Sequence, residues 1–253
     1  MKDFMAFDLT FKNKPLRAAC VAAFTLLTAL QSAQAQSSCA SDGQPRPVRL
    51  LERFINADCE SCWKDPATTK SGKGDVVLDW VLASAKGDDA PLSAVASRDG
   101  LNRLEARGAA PPKGAMTSIQ TVNGLKGTTL RVAHGIALQG YVGTSIELKP
   151  IPAAAKNQRW TAWLALIETI PEGTEGTPVA RNLVRNLVQS NWNGYGELSK
   201  SEQKGDARRF LESRSMSVAQ GVNPDNLRVI GWVEDARGKV LVAAQSDCRS
   251  ESK

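Results

Sequence analysis

A Cys-x-x-Cys motif is the part of this sequence best suited to chemistry. Cys59 and Cys62 are separated by Glu60 and Ser61, and this spacing is typical of thiol–disulfide exchange sites. Exchange would use Cys59 as the attacking thiol and Cys62 as the resolving thiol. Asp58 and Glu60 flank Cys59, and neighbouring carboxylates disfavour a thiolate. We therefore favour a structural or binding role for the pair, with redox catalysis as the alternative.

The remaining cysteines predict a second disulfide. Of five cysteines, Cys20 lies in an apolar N-terminal run and four follow it. An even number of cysteines in an exported chain indicates disulfides, and four allow three pairings. The most economical pairing joins Cys59 to Cys62 locally and Cys39 to Cys248 across nearly the whole chain. A zinc site using all four thiolates is the competing interpretation, but a second Cys-x-x-Cys is missing. We predict no metal and no cofactor.

Histidine and tryptophan residues offer little further chemistry. His134 is the single histidine of the chain, which argues against a Ser-His-Asp triad and against a histidine-rich metal site. It lies among apolar residues, and a packed or surface histidine is a better interpretation than a ligand. Trp160 and Trp163 are three residues apart and would point to opposite faces of a strand, which favours core packing over a carbohydrate platform.

The N-terminus has the pattern of a cleavable export signal. Basic residues precede an uncharged apolar run from Ala18 to Leu30, and Ala33-Gln34-Ala35 supplies small residues before Gln36. The run has too few residues to span a bilayer, which takes about 20. We therefore predict a signal peptide over residues 1–35 and a periplasmic or extracellular protein.

Composition limits the partners of this protein. The formal net charge is +6, and charges of both signs are interspersed, so no basic stripe indicates nucleic-acid binding. No later apolar stretch approaches membrane length, so we expect no membrane insertion after signal cleavage. Other envelope proteins or thiol–disulfide exchange partners are the expected ligands.

The elements around the Cys-x-x-Cys motif predict an α/β domain over residues 46–142, after an N-terminal segment 36–45. Apolar runs indicate strands, and a helical spacing of apolar residues indicates helices. The predicted strands are 48–55, 76–82 and 117–122, and the predicted helices are 91–107 and a closing helix 129–139. This order of elements is that of a thioredoxin-like fold, in which parallel strands need helical crossovers.

Residues 143–253 have a different pattern of apolar runs and loops. Short strand-like runs at 144–148, 160–168, 227–234 and 239–243 are separated by loops rich in Gly, Pro and Asn. This spacing predicts a mainly antiparallel β-sandwich domain. Residues 181–189 fit a helix face and a two-sided strand equally well.

Three short motifs, in order along the chain, carry a resemblance to a known family. They are Glu52, Phe54, Cys59 and Cys62; then Thr117, Ser118 and Ile119 followed by Asn123-Gly124; then Asn182, Val184, Arg185, Leu187, Trp192 and Gly194. In these motifs the chain resembles a family of secreted, thioredoxin-like bacterial proteins of unknown function, in which a Cys-x-x-Cys domain precedes a β-sandwich. The resemblance implies that fold, an envelope location and a redox role.

The same resemblance implies a substrate loop at Thr117 and Ser118. Thioredoxin-like folds place a cis-proline beside the cysteine pair, and Ser118 stands at that position here. A cis bond before a residue other than proline costs about 2.5–4 kcal/mol, so we expect a trans bond and a differently shaped loop. The function predicted from the sequence is therefore that of an exported binding or scaffold protein, with envelope thiol–disulfide oxidoreductase as the alternative.

Overall fold

The computed structural model describes residues 39–152, 155, 158–193 and 209–248, and the predicted signal peptide lies outside them. Two α-helices are present in this part, α1 (Glu60–Trp63) and α2 (Asp99–Ala106). The strands are β1 (Cys39–Ala40), β2 (Arg49–Asn56), β3 (Asp75–Leu82), β4 (Ala115–Thr121), β5 (Thr129–Leu138), β6 (Tyr141–Lys149), β7 (Arg159–Ile170), β8 (Arg181–Asn193), β9 (Phe210–Ser217), β10 (Leu227–Asp235), β11 (Val240–Gln245) and β12 (Asp247–Cys248). No helix within the described residues is both long and apolar enough to cross a membrane.

The strands form two sheets. One has seven strands in the order β11-β10-β7-β8-β3-β2-β4, and the other has five in the order β12-β1-β5-β6-β9. Strand β3 runs parallel to β2 and to β8, whereas the other pairings are antiparallel. Both sheets contribute to one buried apolar cluster, so the architecture is a β-sandwich.

The predicted thioredoxin-like α/β domain is wrong. The helices that should cover a parallel sheet are four and eight residues long, and the predicted closing helix 129–139 is strand β5. The larger sheet combines β2, β3 and β4 with four strands from the second half of the chain. The predicted boundary between residues 142 and 143 lies inside strand β6. The first half thus contributes strands to a shared sheet, because its short helices cannot enclose a sheet of their own.

Strand β7 shows how the larger sheet is buried on both faces. Trp160 belongs to the apolar cluster between the two sheets, and Trp163 belongs to the cluster on the opposite face, together with Leu104 of α2. The prediction that these two tryptophans pack in the core on opposite faces is confirmed. Because residues on both faces of β7 are buried, its sequence is a nearly unbroken apolar run.

The two sheets approach each other closely at Gly231 of β10. A Cβ atom at this position would lie 2.5 Å from Val132 Cγ1 and 2.8 Å from Ile146 Cδ1, both on the five-stranded sheet. These distances are well below ordinary van der Waals contact. Glycine is therefore required here for the sheets to pack at their observed separation.

A buried ion cluster holds α2 against the larger sheet. Arg103 donates to both carboxylate oxygens of Glu52 and of Glu234, at 2.6–3.0 Å. Its guanidinium carbon lies 5.0 Å and 5.2 Å from the ring centroids of Trp163 and Trp232. Burial lowers the pKa of Arg103, but the two carboxylates outweigh it and raise that pKa above its ordinary value. The cluster is internally satisfied, as buried charges must be.

The predicted disulfide between Cys39 and Cys248 is present. Cys39 of β1 lies directly opposite Cys248 of β12 and, on its other side, opposite His134 of β5. The bond joins neighbouring strands of the five-stranded sheet, so it closes one sheet rather than linking two domains. The packed interpretation of His134 is confirmed, since that residue is 4% exposed.

Candidate functional site

The Cys-x-x-Cys motif lies just beyond the end of strand β2. Cys59 and Cys62 form a disulfide with a Cα–Cα distance of 5.3 Å, and both residues are half-buried. The turn between β2 and α1 is fixed by Asn56, whose carbonyl accepts from the Cys59 amide at 2.9 Å and whose Oδ1 accepts from the Asp58 amide at 2.9 Å. The disulfide therefore follows a turn that Asn56 fixes through its backbone and its side chain.

Helix α1 gives the Cys59 sulfur little electrostatic support. It contains only four residues, and a dipole built from one turn is weak. The carboxylates beside Cys59 have their own partners: Asp58 accepts from Ser84 Oγ at 2.8 Å, and Glu60 accepts from Lys64 Nζ at 2.6 Å. Lys86 Nζ also lies 4.0 Å from Asp58 Oδ1, so Lys64 and Lys86 both pair with carboxylates beside Cys59.

Gly114, and not Ser118, lies against the disulfide. A Cβ on Gly114 would stand 3.3 Å from Cys62 Sγ and 3.9 Å from Cys59 Sγ. Ser118 lies within β4 opposite Glu52, and its Oγ accepts from Arg107 Nη2 at 2.8 Å. The bond before Ser118 is trans, since the cis bond among the described residues is Lys149–Pro150. The substrate-loop position predicted for Ser118 is therefore displaced from the sulfurs.

A second buried ion cluster joins strands β2, β3 and β8. Arg53 Nη2 and Arg181 Nη1 donate to the two carboxylate oxygens of Asp79, at 2.7 Å and 3.0 Å. The three side chains are at most 3% exposed. Arg53 Nε has no hydrogen-bond partner among the described residues. Two guanidinium groups thus share the carboxylate of Asp79, and Asp65 is a second acidic residue whose charge acts on Arg181.

Arg181 also connects this cluster to the Cys-x-x-Cys segment. Its Nη2 donates to the Trp63 carbonyl oxygen at 2.8 Å, and its Nε donates to Thr177 Oγ1 at 2.9 Å. Trp63 Nε1 in turn donates to the Glu175 carbonyl oxygen at 2.8 Å. Burial lowers the pKa of Arg181, and Asp79 opposes that shift. The end of α1 is therefore attached to strand β8 and to the loop before it.

A cavity of about 130 Å³ opens beside Cys62. It lies between the start of β4, strand β2 and the loop that follows α1. Its walls combine apolar groups with hydroxyls and both arginines of the buried cluster: Arg53, Phe54, Ile55, Cys62, Asp65, Ala67, Thr68, Thr69, Ala115, Met116, Thr117 and Arg181. Thr117, predicted to be part of a substrate loop, thus lies in the same cavity as Cys62.

The residues that the sequence interpretation missed are Gly114, Arg53, Asp79 and Arg181. Asp79 carried a signal, because it interrupts the apolar run Val76–Leu82, and a charge inside a buried strand needs a partner. Its two arginine partners, Arg53 and Arg181, lie 26 and 102 positions away, and no local pattern identifies them.

Cys39 and Cys248 do not form a metal site with His134. Ligand atoms of Cys39, His134 and Cys248 lie within 4.8 Å of one another, but the two sulfurs are bonded to each other. A disulfide sulfur is not the thiolate that binds metals. The arrangement is therefore a disulfide packed against a buried imidazole.

Comparison with known proteins gives little guidance. No family model matches the sequence, and no curated protein matches it at a significant level. HBP35 of Porphyromonas gingivalis is 10% identical, with a TM-score of 0.46 over 84% of this chain and 78% of that one. Chicken MD-1 complexed with lipid IVa is 10% identical, with a TM-score of 0.21 over 50% of this chain and 93% of that one. Similarities at these scores support no inference about function.

Proposed function

We propose that this protein is an exported binding protein of the cell envelope, with its ligand surface at the cavity beside Cys62. The observation that carries the proposal is the wall structure of that cavity. Arg53 and Arg181 line it and share the single carboxylate of Asp79, and Cys62 of the disulfide lines it as well. A preorganised charged cavity of this kind is a binding feature that needs no covalent chemistry.

The charge of the cavity favours an acidic group on the ligand. Both guanidinium groups are immobilised by buried hydrogen bonds, so binding would cost little side-chain entropy. Asp65 also lines the cavity and is exposed to solvent, and its charge opposes the lowering of the Arg181 pKa by burial. Thr68, Thr69 and Thr117 add hydroxyl groups for hydrogen bonding. A carboxylate-bearing side chain of a partner protein fits this combination.

An export location agrees with the covalent structure. Two disulfides are present, and such bonds persist in oxidising compartments. The sequence pattern of residues 1–35 supports the same proposal.

Thiol–disulfide exchange is the second candidate function. The observation in its favour is that Cys62 lines an open cavity and both cysteines are half-buried. The four-residue helix counts against it, as does the pairing of Lys64 with Glu60 and of Lys86 with Asp58. The proposed role of the bond is therefore to hold the cavity wall.

Measurement of the reduction potential of the Cys59–Cys62 pair separates the two functions. Structural disulfides lie below about −300 mV, whereas exchange catalysts lie higher. We expect a value in the structural range and no turnover of a simple disulfide substrate. A higher potential accompanied by turnover would establish the enzyme.

The cavity itself is tested by NMR titration with an acetylated, amidated glutamate, using the lysine equivalent as the control ligand. We expect shifts at Thr68, Thr69 and Thr117 with glutamate only. Thr117→Trp, which fills the cavity, should abolish them, whereas Thr121→Trp on the same exposed face of β4 should not. Equal shifts with both ligands, or none with glutamate, would refute the acidic-ligand proposal.

A further inference from the structure

Strand β4 is an open edge of the seven-stranded sheet. It pairs with β2 on one side, and no other described strand pairs with it on the other side. Just past its end, Asn123 donates to the Val240 carbonyl oxygen of β11. Residues alternate along it between exposed and half-buried. Ile119, on the exposed face, has a relative exposure of 52%. An edge of this kind presents unpaired backbone groups to any strand that can add to it.

The residues whose backbone faces outward can be identified from the register. The Asn56 amide donates to the Gly114 carbonyl oxygen at 2.8 Å, and the Val122 amide donates to the Val48 carbonyl oxygen at 2.8 Å. In an antiparallel pair, residues with inward and outward backbone groups alternate. Even-numbered residues of β4 therefore bond to β2. The N–H and C=O groups of Ala115, Thr117, Ile119 and Thr121 point away from the sheet.

This edge lacks the features that usually prevent association. Its sequence, Ala-Met-Thr-Ser-Ile-Gln-Thr, contains no charge, no proline and no glycine, and the pairing with β2 has no bulge. By contrast, the edge strand β9 of the other sheet carries Glu212 and Arg214. Charged residues and bulges are the means by which natural sheets block edge-to-edge pairing. Their absence from β4 indicates an edge that is available for pairing.

We propose that β4 pairs with β4 of a second copy of this chain, antiparallel and centred on Ser118. In this register the outward-facing residues meet each other: Thr117 lies opposite Ile119 of the second copy, and Ala115 lies opposite Thr121. Because the strand is uncharged, self-pairing creates no like-charge contact, and Thr–Ile is a favourable cross-strand pair. The symmetry is that of an isologous dimer, in which one patch meets itself.

The dimer has a consequence for the cavity beside Cys62. Pairing within one continuous sheet keeps corresponding faces on the same side. Thr117 lines the cavity, so the two cavities would flank the symmetry axis on one face. A partner with two acidic groups could then bind both, which adds avidity without new contacts. The dimer itself does not depend on what the cavity binds.

Sedimentation velocity of the purified protein over a range of concentrations tests the proposal. We expect a monomer–dimer equilibrium that Ile119→Lys shifts to monomer. The matched control is Ile136→Lys, which places the same charge at a residue of β5 that is 66% exposed and should leave the dimer intact. A monomeric wild-type protein, or equal loss of the dimer in both variants, would overturn the proposal.

Two further measurements fix the register without relying on a destabilised variant. Hydrogen exchange of the wild-type protein should slow at the Thr117 and Ile119 amides as concentration rises, while the Ser118 amide stays protected throughout. Ser118→Cys should form an intermolecular disulfide on oxidation, because the two copies of residue 118 face each other across the axis. Gly143→Cys, on an exposed part of β6, should not. Cross-linking by both variants or by neither would contradict a dimer centred on Ser118.

Discussion

Arg181 lies over the indole ring of Trp63, with 4.7 Å between its guanidinium carbon and the ring centroid. The same arginine donates to the Trp63 carbonyl oxygen. Trp63 directly follows Cys62, so this contact anchors the Cys-x-x-Cys segment to strand β8, more than a hundred residues later in the chain. The position of the disulfide therefore depends on long-range packing, and not on helix α1 alone.

Replacement of Arg181 by methionine should strongly destabilise the fold. The substitution leaves Asp79 buried with one of its two cationic partners and removes the anchor of Trp63. Loss of one member of a buried ion cluster costs about 3–5 kcal/mol, which urea unfolding would detect. Lys70→Met is the control, because Lys70 and Glu172 form a surface pair with side chains 66% and 59% exposed, and its loss should cost less than about 1 kcal/mol. Similar losses of unfolding free energy in both variants would show that the buried cluster contributes no more to stability than a surface pair.

Replacement of Gly114 by valine should make the Cys59–Cys62 disulfide easier to reduce. The added Cβ would meet Cys62 Sγ at 3.3 Å, and this crowding is relieved when the sulfurs separate. We expect the reduction potential to rise by about 10–30 mV, corresponding to roughly 0.5–1.4 kcal/mol. Gly143→Val is the control, since nothing lies within 4 Å of its Cβ position. An unchanged reduction potential in Gly114→Val would mean that the backbone around residue 114 moves to accommodate valine without strain.

Most strands could be predicted from the sequence, but the way in which they combine could not. The runs predicted at 76–82, 160–168 and 227–234 correspond closely to β3, β7 and β10, because strands buried on both faces are recognisable as apolar runs. Strand pairing is set by contacts between distant segments. The parallel contact of β3 with β8 joins Asp79 to Leu183, and this contact merges the two predicted domains into one sheet.

The wrong prediction of a helix over residues 129–139 has a local cause. Strand β5 has a register shift between His134 and Ala137, and a bulge of this kind interrupts the alternation that identifies a strand. The spacing of Val132, Ala133 and Ile136 then resembles a helix face. The turn that follows uses Gln139 and Gly140, both with positive φ. Gln-Gly is a weaker hairpin signal than Asn-Gly.

The site was only partly accessible from the sequence. The cysteines allowed three pairings, and the one predicted as most economical is present. The prediction that Thr117 belongs to a substrate loop stays a prediction, and Thr117 lines the cavity beside Cys62. The prediction of Ser118 as the neighbour of the sulfurs relied on the geometry of a fold that this chain does not have. Arg53 and Arg181 gave no signal, because single arginines in strands are ordinary and their shared contact with Asp79 is a tertiary feature.

His134 should titrate below its ordinary pKa and make the fold acid-sensitive. Burial lowers its pKa below 6.5, Arg228 lowers it further, and the bond to the Gly135 carbonyl opposes the shift. Because the folded state favours the neutral imidazole, this contribution to stability is complete above pH 6.5. It is lost as the pH falls through the folded-state pKa. NMR can assign the pKa directly, since the chain has a single histidine.

The control for this prediction is His134→Gln, compared with wild type by urea unfolding at several pH values. The difference in unfolding free energy between the two proteins should change below pH 6.5 and remain constant above it. A His134 pKa at or above the ordinary value would contradict the prediction.

The two disulfides should contribute unequally to stability. Cys39 and Cys248 are 209 positions apart, whereas Cys59 and Cys62 are three apart. In the chain-entropy model the longer loop stabilises by about 5 kcal/mol and the shorter by about 2 kcal/mol. Double alanine variants of each pair, compared by urea unfolding, measure this difference. The Cys39/Cys248 variant should lose more stability, and it should also lose the pairing of β1 with β5 beside His134, which NMR would show. If the Cys59/Cys62 variant loses as much unfolding free energy as the Cys39/Cys248 variant, local packing against Gly114 and Trp63 would contribute more than loop entropy.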